Sequence, residues 1–294
     1  MVVDFGRLIT AMVTPLDDNL QIHWSQLEVL VDYLIEEQQS ETLIVSGTTG
    51  ESPTLTDGEK LQLFRKVVEL AAGRCKVIAG TGSYDTAHSI HLTKLAEETG
   101  VDGILLVAPY YNKPSQEGLY QHFKAVAEAT ALPVMLYNVP GRSVANILPD
   151  TMLRLAQIPN VVATKEAHGD LDHITLLLAK APEGFVVYCG DDSLTLPYLS
   201  VGAKGIVSVA SHVIGKEMKE MISQYLSGQV EQAAKTHQKL FPVFKGLFHC
   251  PHPVPSPVPV KYALKLKGVD VGGVRLPLVN PTEQEAQFIK ALFE

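Results

Sequence analysis

Eight short, β-branched apolar runs punctuate the chain. They are LITAMVTP (8–15), TLIVSG (42–47), KVIAGTG (76–82), GILLVAP (103–109), PVMLYNVP (133–140), VVATKEA (161–167), FVVYCGD (185–191) and GIVSVAS (205–211). They are apolar on both faces instead of alternating apolar with polar, which is the pattern of parallel strands covered by helices. Amphipathic stretches fill the gaps. WSQLEVLVDYLIEE (24–37) carries an apolar stripe, and TDGEKLQLFRKVVELA (56–71) opens with Thr56 and Glu59 at the spacing of a capping box. TAHSIHLTKLAEETG (86–100) ends at a glycine, and SQEGLYQHFKAVAEAT (115–130) supplies another helix.

Eight strands, each followed by a helix or a helix-sized gap, predict an α/β fold of the (β/α)8 TIM barrel type. The competing architecture, an open doubly wound sheet, lacks its phosphate fingerprint. GTGSYD (80–85) keeps only the first two glycines of that motif, and GTTGE (47–51) is not a Walker loop. Beyond about residue 214 the strand pattern stops. KEMKEMISQYLSG, VEQAAKTHQKLFPVFKGLF and VKYALKLKG read as helices, which divides the chain into a barrel over 1–228 and a small C-terminal helical domain over 229–294. CPHPVPSPVPV (250–260), with five prolines, predicts an extended, semi-rigid connector.

The length of 294 residues suits one barrel with an appendage. A net charge of −8 argues against a general nucleic-acid or anionic-membrane binder, while leaving room for a small anionic substrate met by a few local donors. Cys75, Cys189 and Cys250 are widely spaced and odd in number, so no disulfide framework is implied and a reducing cytoplasm fits. The opening MVVDFGRLIT lacks the basic segment, apolar run and cleavage site of a secretory signal. No apolar run approaches the ~18 residues that cross a bilayer.

In a barrel, polar residues at the C-terminal ends of strands face the active-site mouth. Here those ends carry Gly47-Thr48-Thr49-Gly50-Glu51, Tyr110-Tyr111-Asn112, Tyr137-Asn138 with Arg142 just beyond, Lys165-Glu166, Gly190-Asp191-Asp192 and Ser208. Lys165 is the odd member, an ammonium group arriving before the strand VVA has visibly ended. An amine attacks a ketone only in its neutral form, and an apolar setting disfavours the charged one. A phenol such as Tyr137 can shuttle the protons that imine formation requires, and Thr49 and Tyr111 can extend that shuttle towards solvent. The glycines flanking Thr48-Thr49 let backbone N–H groups approach a substrate carboxylate.

Each residue has a plainer reading. The tyrosines can be core residues with satisfied hydroxyls, the threonines can cap a turn, Arg142 can sit in a surface ion pair, and Lys165 can pair with Glu166. Asp191-Asp192 reads as an N-cap in preference to a metal site. The histidines His88 and His91, and the cluster His249-Cys250-Pro251-His252, lie away from strand ends and lack the second ligand pair of a structural zinc site. Metal-independent chemistry is therefore expected, and Cys189 reads as a small buried hydrophobe.

The motifs LITAMVTP, GTTGESPTL, APYYNKP, YNVPGRS, TKEA, GDDS, GIVSV, PVKYALKLKG and RLPL together resemble the dihydrodipicolinate synthase family, within the N-acetylneuraminate lyase superfamily of class I aldolase barrels. The likeness covers essentially the whole chain. It implies that Lys165 forms a Schiff base with pyruvate, needing no other cofactor, and that Tyr137 donates and accepts protons. It further implies that Thr48 and Tyr111 complete a relay, with Tyr111 supplied by the neighbouring subunit of a tight dimer. Thr49 and the backbone at Val207, with Gly190, would line the pyruvate pocket, and Arg142 would bind the carboxylate of L-aspartate semialdehyde. The implied assembly is a homotetramer, a dimer of dimers, and the implied product is 4-hydroxy-tetrahydrodipicolinate in lysine and diaminopimelate biosynthesis.

The choice of a synthase over a lyase of neuraminate or a 2-keto-3-deoxy acid rests on Thr48-Thr49 and Arg142. A barrel that had lost catalysis would be expected to lack at least one of these groups. Many family members are inhibited by lysine at the dimer interface. Here the position of the usual acidic ligand is His88, and two usual histidine positions are Asp57 and Lys60, so a weak L-lysine effector is expected.

Overall fold

A computed structural model describes residues 4–294; the first three residues of MVVDFGRLIT lie outside the described residues. The eight apolar runs form β1 (Leu8–Ala11), β2 (Thr42–Val45), β3 (Lys76–Gly80), β4 (Gly103–Val107), β5 (Val134–Asn138), β6 (Val161–Glu166), β7 (Val186–Cys189) and β8 (Gly205–Ser208). All pair in parallel with their sequence neighbours, and β8 pairs with β1 to close the barrel. The surrounding helices are α1 (Trp24–Asp32), α2 (Asp57–Ala71), α3 (Thr86–Glu97), α4 (Gln116–Ala127), α5 (Pro140–Ser143), α6 (Pro149–Leu155), α7 (Leu171–Lys180), α8 (Thr195–Ser200) and α9 (Ser211–Leu226). Three more, α10 (Val230–Gly246), α11 (Pro257–Leu266) and α12 (Glu283–Ala291), follow the barrel.

The runs are apolar on both faces because each strand serves two cores. Ile9, Ala11, Ile44, Ile78, Leu105, Met135, Ala163 and Val207 fill the barrel interior. Their sequence neighbours Leu8, Leu43, Val77, Ile104, Leu136 and Ile206 pack outward beneath the helices. The helix signals hold locally: the capping box at Thr56 and Glu59 forms, and Asp85, Ser115 and Asp170 cap α3, α4 and α7.

Two features differ from what local pattern alone would give. Strict alternation places Val161 on the face of Lys165. Val134 of β5 pairs with Val161 but Met135 pairs with Ala163, so β6 carries one extra residue there. The slip sends Val161 into the outer core while Ala163 stays inside. The proline-rich connector is also shorter than predicted, since α11 begins at Pro257. Pro257 and Pro259 fall in the first helical turn, where backbone N–H groups have no intrahelical acceptor and their loss is harmless.

One buried ion pair joins the β2 loop to the C-terminal helices. Lys261 Nζ on α11 lies 2.7 Å from Glu51 Oε1, with both side chains 2% exposed. Lys261 also donates to the Gly273 carbonyl, and the Arg275 amide donates to Glu51 Oε2. Burial pushes the Lys261 ammonium below the ordinary lysine range, against the pull of Glu51. Replacing Lys261→Met strands a buried carboxylate and should cost about 3–5 kcal/mol in urea-induced unfolding. Adding Glu51→Gln should restore most of that loss, and an unshifted single variant would show that the pair contributes nothing.

Candidate active site

Parallel closure brings every strand's C-terminal end to one rim, where two adjoining cavities of about 230 and 540 Å³ share Thr48, Tyr137, Val139 and Arg142. Lys165 and Tyr137 are ladder partners on β6 and β5, so register alone makes them neighbours. Lys165, 6% exposed, opens into the larger cavity and holds its Nζ 4.2 Å from the centre of the Tyr137 ring. The plainer alternative, a surface pair between Lys165 and Glu166, does not form. Glu166 turns to the outer wall, fully buried, and lies 2.9 Å from His168 instead.

Gly190, at the end of β7, makes room for this lysine. A Cβ there would sit 2.7 Å from Ala167 Cβ and 3.1 Å from Lys165 Cε. The Gly47–Glu51 turn spends the Gly50 and Glu51 amides on the Gly47 and Thr48 carbonyls, leaving those of Thr48 and Thr49 outside its own hydrogen bonds. Thr49 is buried, with Oγ1 3.4 Å from Ser256 Oγ. Arg142 stands exposed on the rim shared by both cavities. The arginines that do form ion pairs are Arg74, Arg154 and Arg275.

Two predicted residues fall outside this group. Tyr111 is 90% exposed, while its neighbour Tyr110 lines the smaller cavity. The Val207 side chain packs in the barrel interior, and Val209 lines the larger cavity. Asp191 caps the following turn as expected, accepting from the Ser193 amide. Asp192 does not cap it. Its buried Oδ2 accepts from the Val209 and Ala210 amides, and burial pushes its carboxyl up to about 6. His212 braces the same segment, donating from Nδ1 to the Val209 carbonyl and accepting the Val13 amide at Nε2; burial pushes it down to about 4 and keeps it neutral.

Sequence reasoning missed Ser46, Val209, Lys245 and His249. The Ser46 hydroxyl is buried without a hydrogen-bond partner and lines the smaller cavity. Lys245 and His249, from the end of α10, line the larger one. No local signal marks that helix end as part of a site; only its packing against the barrel does. Of the histidines set aside above as metal ligands, His88 pairs with Asp57 and His252 with Glu285. Backbone strain collects at the mouth, with Ser46, Glu51, Tyr111 and Val144 at φ between 57° and 76°.

The model of the dihydrodipicolinate synthetase family matches residues 4–294. The chain belongs to that family. It is 59% identical over 289 residues to the 4-hydroxy-tetrahydrodipicolinate synthase of Desulforamulus reducens, covering 98% of this chain and 96% of the relative. The enzyme of that name from Bacillus subtilis is 58% identical over 96% of each chain. Among solved structures, a dihydrodipicolinate synthase from Bacillus anthracis superposes with TM-score 0.96 at 56% identity, over 99% of this chain and 98% of the other. One from Cyanidioschyzon merolae, solved with lysine bound, superposes with TM-score 0.95 at 44% identity, over 98% and 97% of the two chains.

Within this family geometry, Gly190→Ala should displace Lys165 while sparing the fold. We expect turnover to fall about 10- to 100-fold, as misplacing a reacting group by ~1 Å does. Steady-state assays beside a thermal melt check this, and unchanged turnover would show that Gly190 does not set the position of Lys165.

Proposed function

We propose that the chain condenses pyruvate with L-aspartate 4-semialdehyde to give 4-hydroxy-tetrahydrodipicolinate, a step of lysine and diaminopimelate biosynthesis. The observation that carries this reading is the buried Lys165 stacked on Tyr137, in a cavity also lined by Thr48, Thr49 and Arg142.

Lys165 Nζ attacks the pyruvate ketone, and Tyr137 moves the protons as the carbinolamine loses water to become an imine. Loss of a methyl proton gives an enamine, whose carbon attacks the aldehyde and forms the new C–C bond. The amine of the former semialdehyde then attacks the imine carbon, closes the ring and displaces Lys165. In this reading the Thr48 and Thr49 amides and the Thr49 hydroxyl receive the pyruvate carboxylate, the Thr48 hydroxyl belongs to the proton relay, and Arg142 receives the carboxylate of the semialdehyde. No metal or further cofactor takes part in these steps.

Tyr111 joins the relay from a neighbouring subunit of a homotetramer, a role consistent with its 90% exposure and its strained φ of 76°. No helix among the described residues is long and apolar enough to cross a membrane.

Borohydride reduction in the presence of pyruvate, followed by peptide mass analysis, should place a pyruvyl adduct on Lys165; its absence overturns the mechanism. A coupled assay then compares aspartate semialdehyde with sialic acid, and activity with sialic acid alone would replace the synthase by a sugar-acid lyase.

L-Lysine is proposed as a weak effector only. Asp57, the acidic group in that region, is already engaged by His88 Nε2 at 2.8 Å and by Lys60 Nζ at 3.8 Å. Turnover should persist at millimolar lysine, and half-inhibition well below that would refute the reading.

A further inference from the structure

Behind Lys165, on the outer wall of the barrel, β6 ends and α7 begins around three side chains that the proposed chemistry does not use. Glu166 is fully buried, His173 is 6% exposed, and His168 lies beside them. The carboxylate is fixed by two donors: Thr164 Oγ1 at 2.8 Å on Oε1, and Asn138 Nδ2 at 2.8 Å on Oε2. His168 Nε2 lies 2.9 Å from Oε2 but is angled away from a hydrogen bond. The imidazoles meet with ring centres 4.4 Å apart, and Nε2 of each is buried without a hydrogen-bond partner. One ligand atom from each of the three residues lies within 4.8 Å of the others.

Buried polar atoms without partners are rare and costly, and two facing one carboxylate call for a common partner. A water molecule or a hydrogen bond can satisfy one of them. A cation satisfies all three groups at once. We propose that Glu166, His168 and His173 bind a single divalent cation of the borderline class, Zn²⁺ foremost, with a water completing its coordination. Two imidazoles and a carboxylate suit Zn²⁺ and disfavour Mg²⁺ or Ca²⁺, which prefer oxygen ligands. The Thr164 and Asn138 bonds would act as the supporting shell that orients a ligating carboxylate.

Coordination asks for two adjustments. The ligand atoms must draw together to about 3.3 Å, the spacing set by metal–ligand distances near 2 Å in a tetrahedron. His168 Nδ1, which now accepts the Asp170 amide at 3.1 Å, must carry the proton once Nε2 binds the ion. Asp170 is exposed at the start of α7, so its amide can turn to water. The ion would lie on the opposite side of the strand from the Lys165 amine, pinning the ends of β5 and β6 without entering the reaction.

The test uses the full chain without an affinity tag, stripped with a chelator, then titrated with Zn²⁺ by calorimetry and with Co²⁺ by visible absorption. We expect one equivalent per chain, a higher melting temperature with Zn²⁺, and tetrahedral Co²⁺ bands. His173→Gln and His168→Asn should each weaken binding by about 100-fold or more, with circular dichroism and the Lys165–pyruvate adduct retained as controls for the fold. Absence of saturable binding, or of tetrahedral Co²⁺ bands in the unsubstituted chain, overturns the proposal. Undiminished binding in both variants also overturns it, since the ion would then lie elsewhere, as at His249 and His252. The stripped enzyme should still form the pyruvate adduct, so this outcome is independent of the mechanism at Lys165.

Discussion

The ladder that runs from β1 round to β8 returns to β1, so every strand has a partner on both sides and no edge is left to be satisfied by water or another chain. Closure with all strands parallel sends every C-terminal end to the same rim, which is why residues from positions 46 to 209 meet in one place. The same ladder sets the chemistry at its finest scale. Tyr137 and Lys165 are 28 positions apart in sequence, yet they are direct partners across β5 and β6, and the stacking distance of 4.2 Å follows from that register.

The rim alone leaves the mouth open on one side, and the C-terminal helices supply the missing wall. The Glu51–Lys261 pair ties the loop carrying Thr48 and Thr49 to α11. That attachment holds Glu51 in a left-handed conformation unusual for its residue type. Asp192 and His212 do comparable work for the segment after β8 by anchoring Val209 through backbone bonds. Their bonds to main-chain groups fix the shape of these loops.

The two faces of β6 divide the labour between neighbours in sequence. Lys165 faces the cavity, where its amine is stacked on a tyrosine. Glu166 faces outward, where Thr164 and Asn138 fix it and two histidines surround it. The inserted residue between Val161 and Ala163 sets which neighbour faces which way at the start of the strand, and the regular pleat carries that choice to its end.

Much of this was legible along the chain. Apolar runs of strand length recurring eight times, with amphipathic stretches between them, require a covered parallel sheet, and the polar residues at their ends announce a shared mouth. Lys165, Tyr137, Thr48, Thr49, Gly190 and Arg142 were accessible to that reasoning because local pattern places each at or just beyond a strand end. Contacts between distant segments were not. No periodicity shows that α10 brings Lys245 and His249 to the cavity, that Val209 lines it while Val207 lies below, or that β6 slips by one residue. Nothing in the local pattern marks His168 and His173, which only folding brings against Glu166. Local propensity and hydrophobic period are written in neighbouring residues, so the sequence determined the elements, their order and the barrel. Register, helix docking and the burial of charged groups depend on surfaces that exist only after the chain has closed, and those the tertiary structure decided.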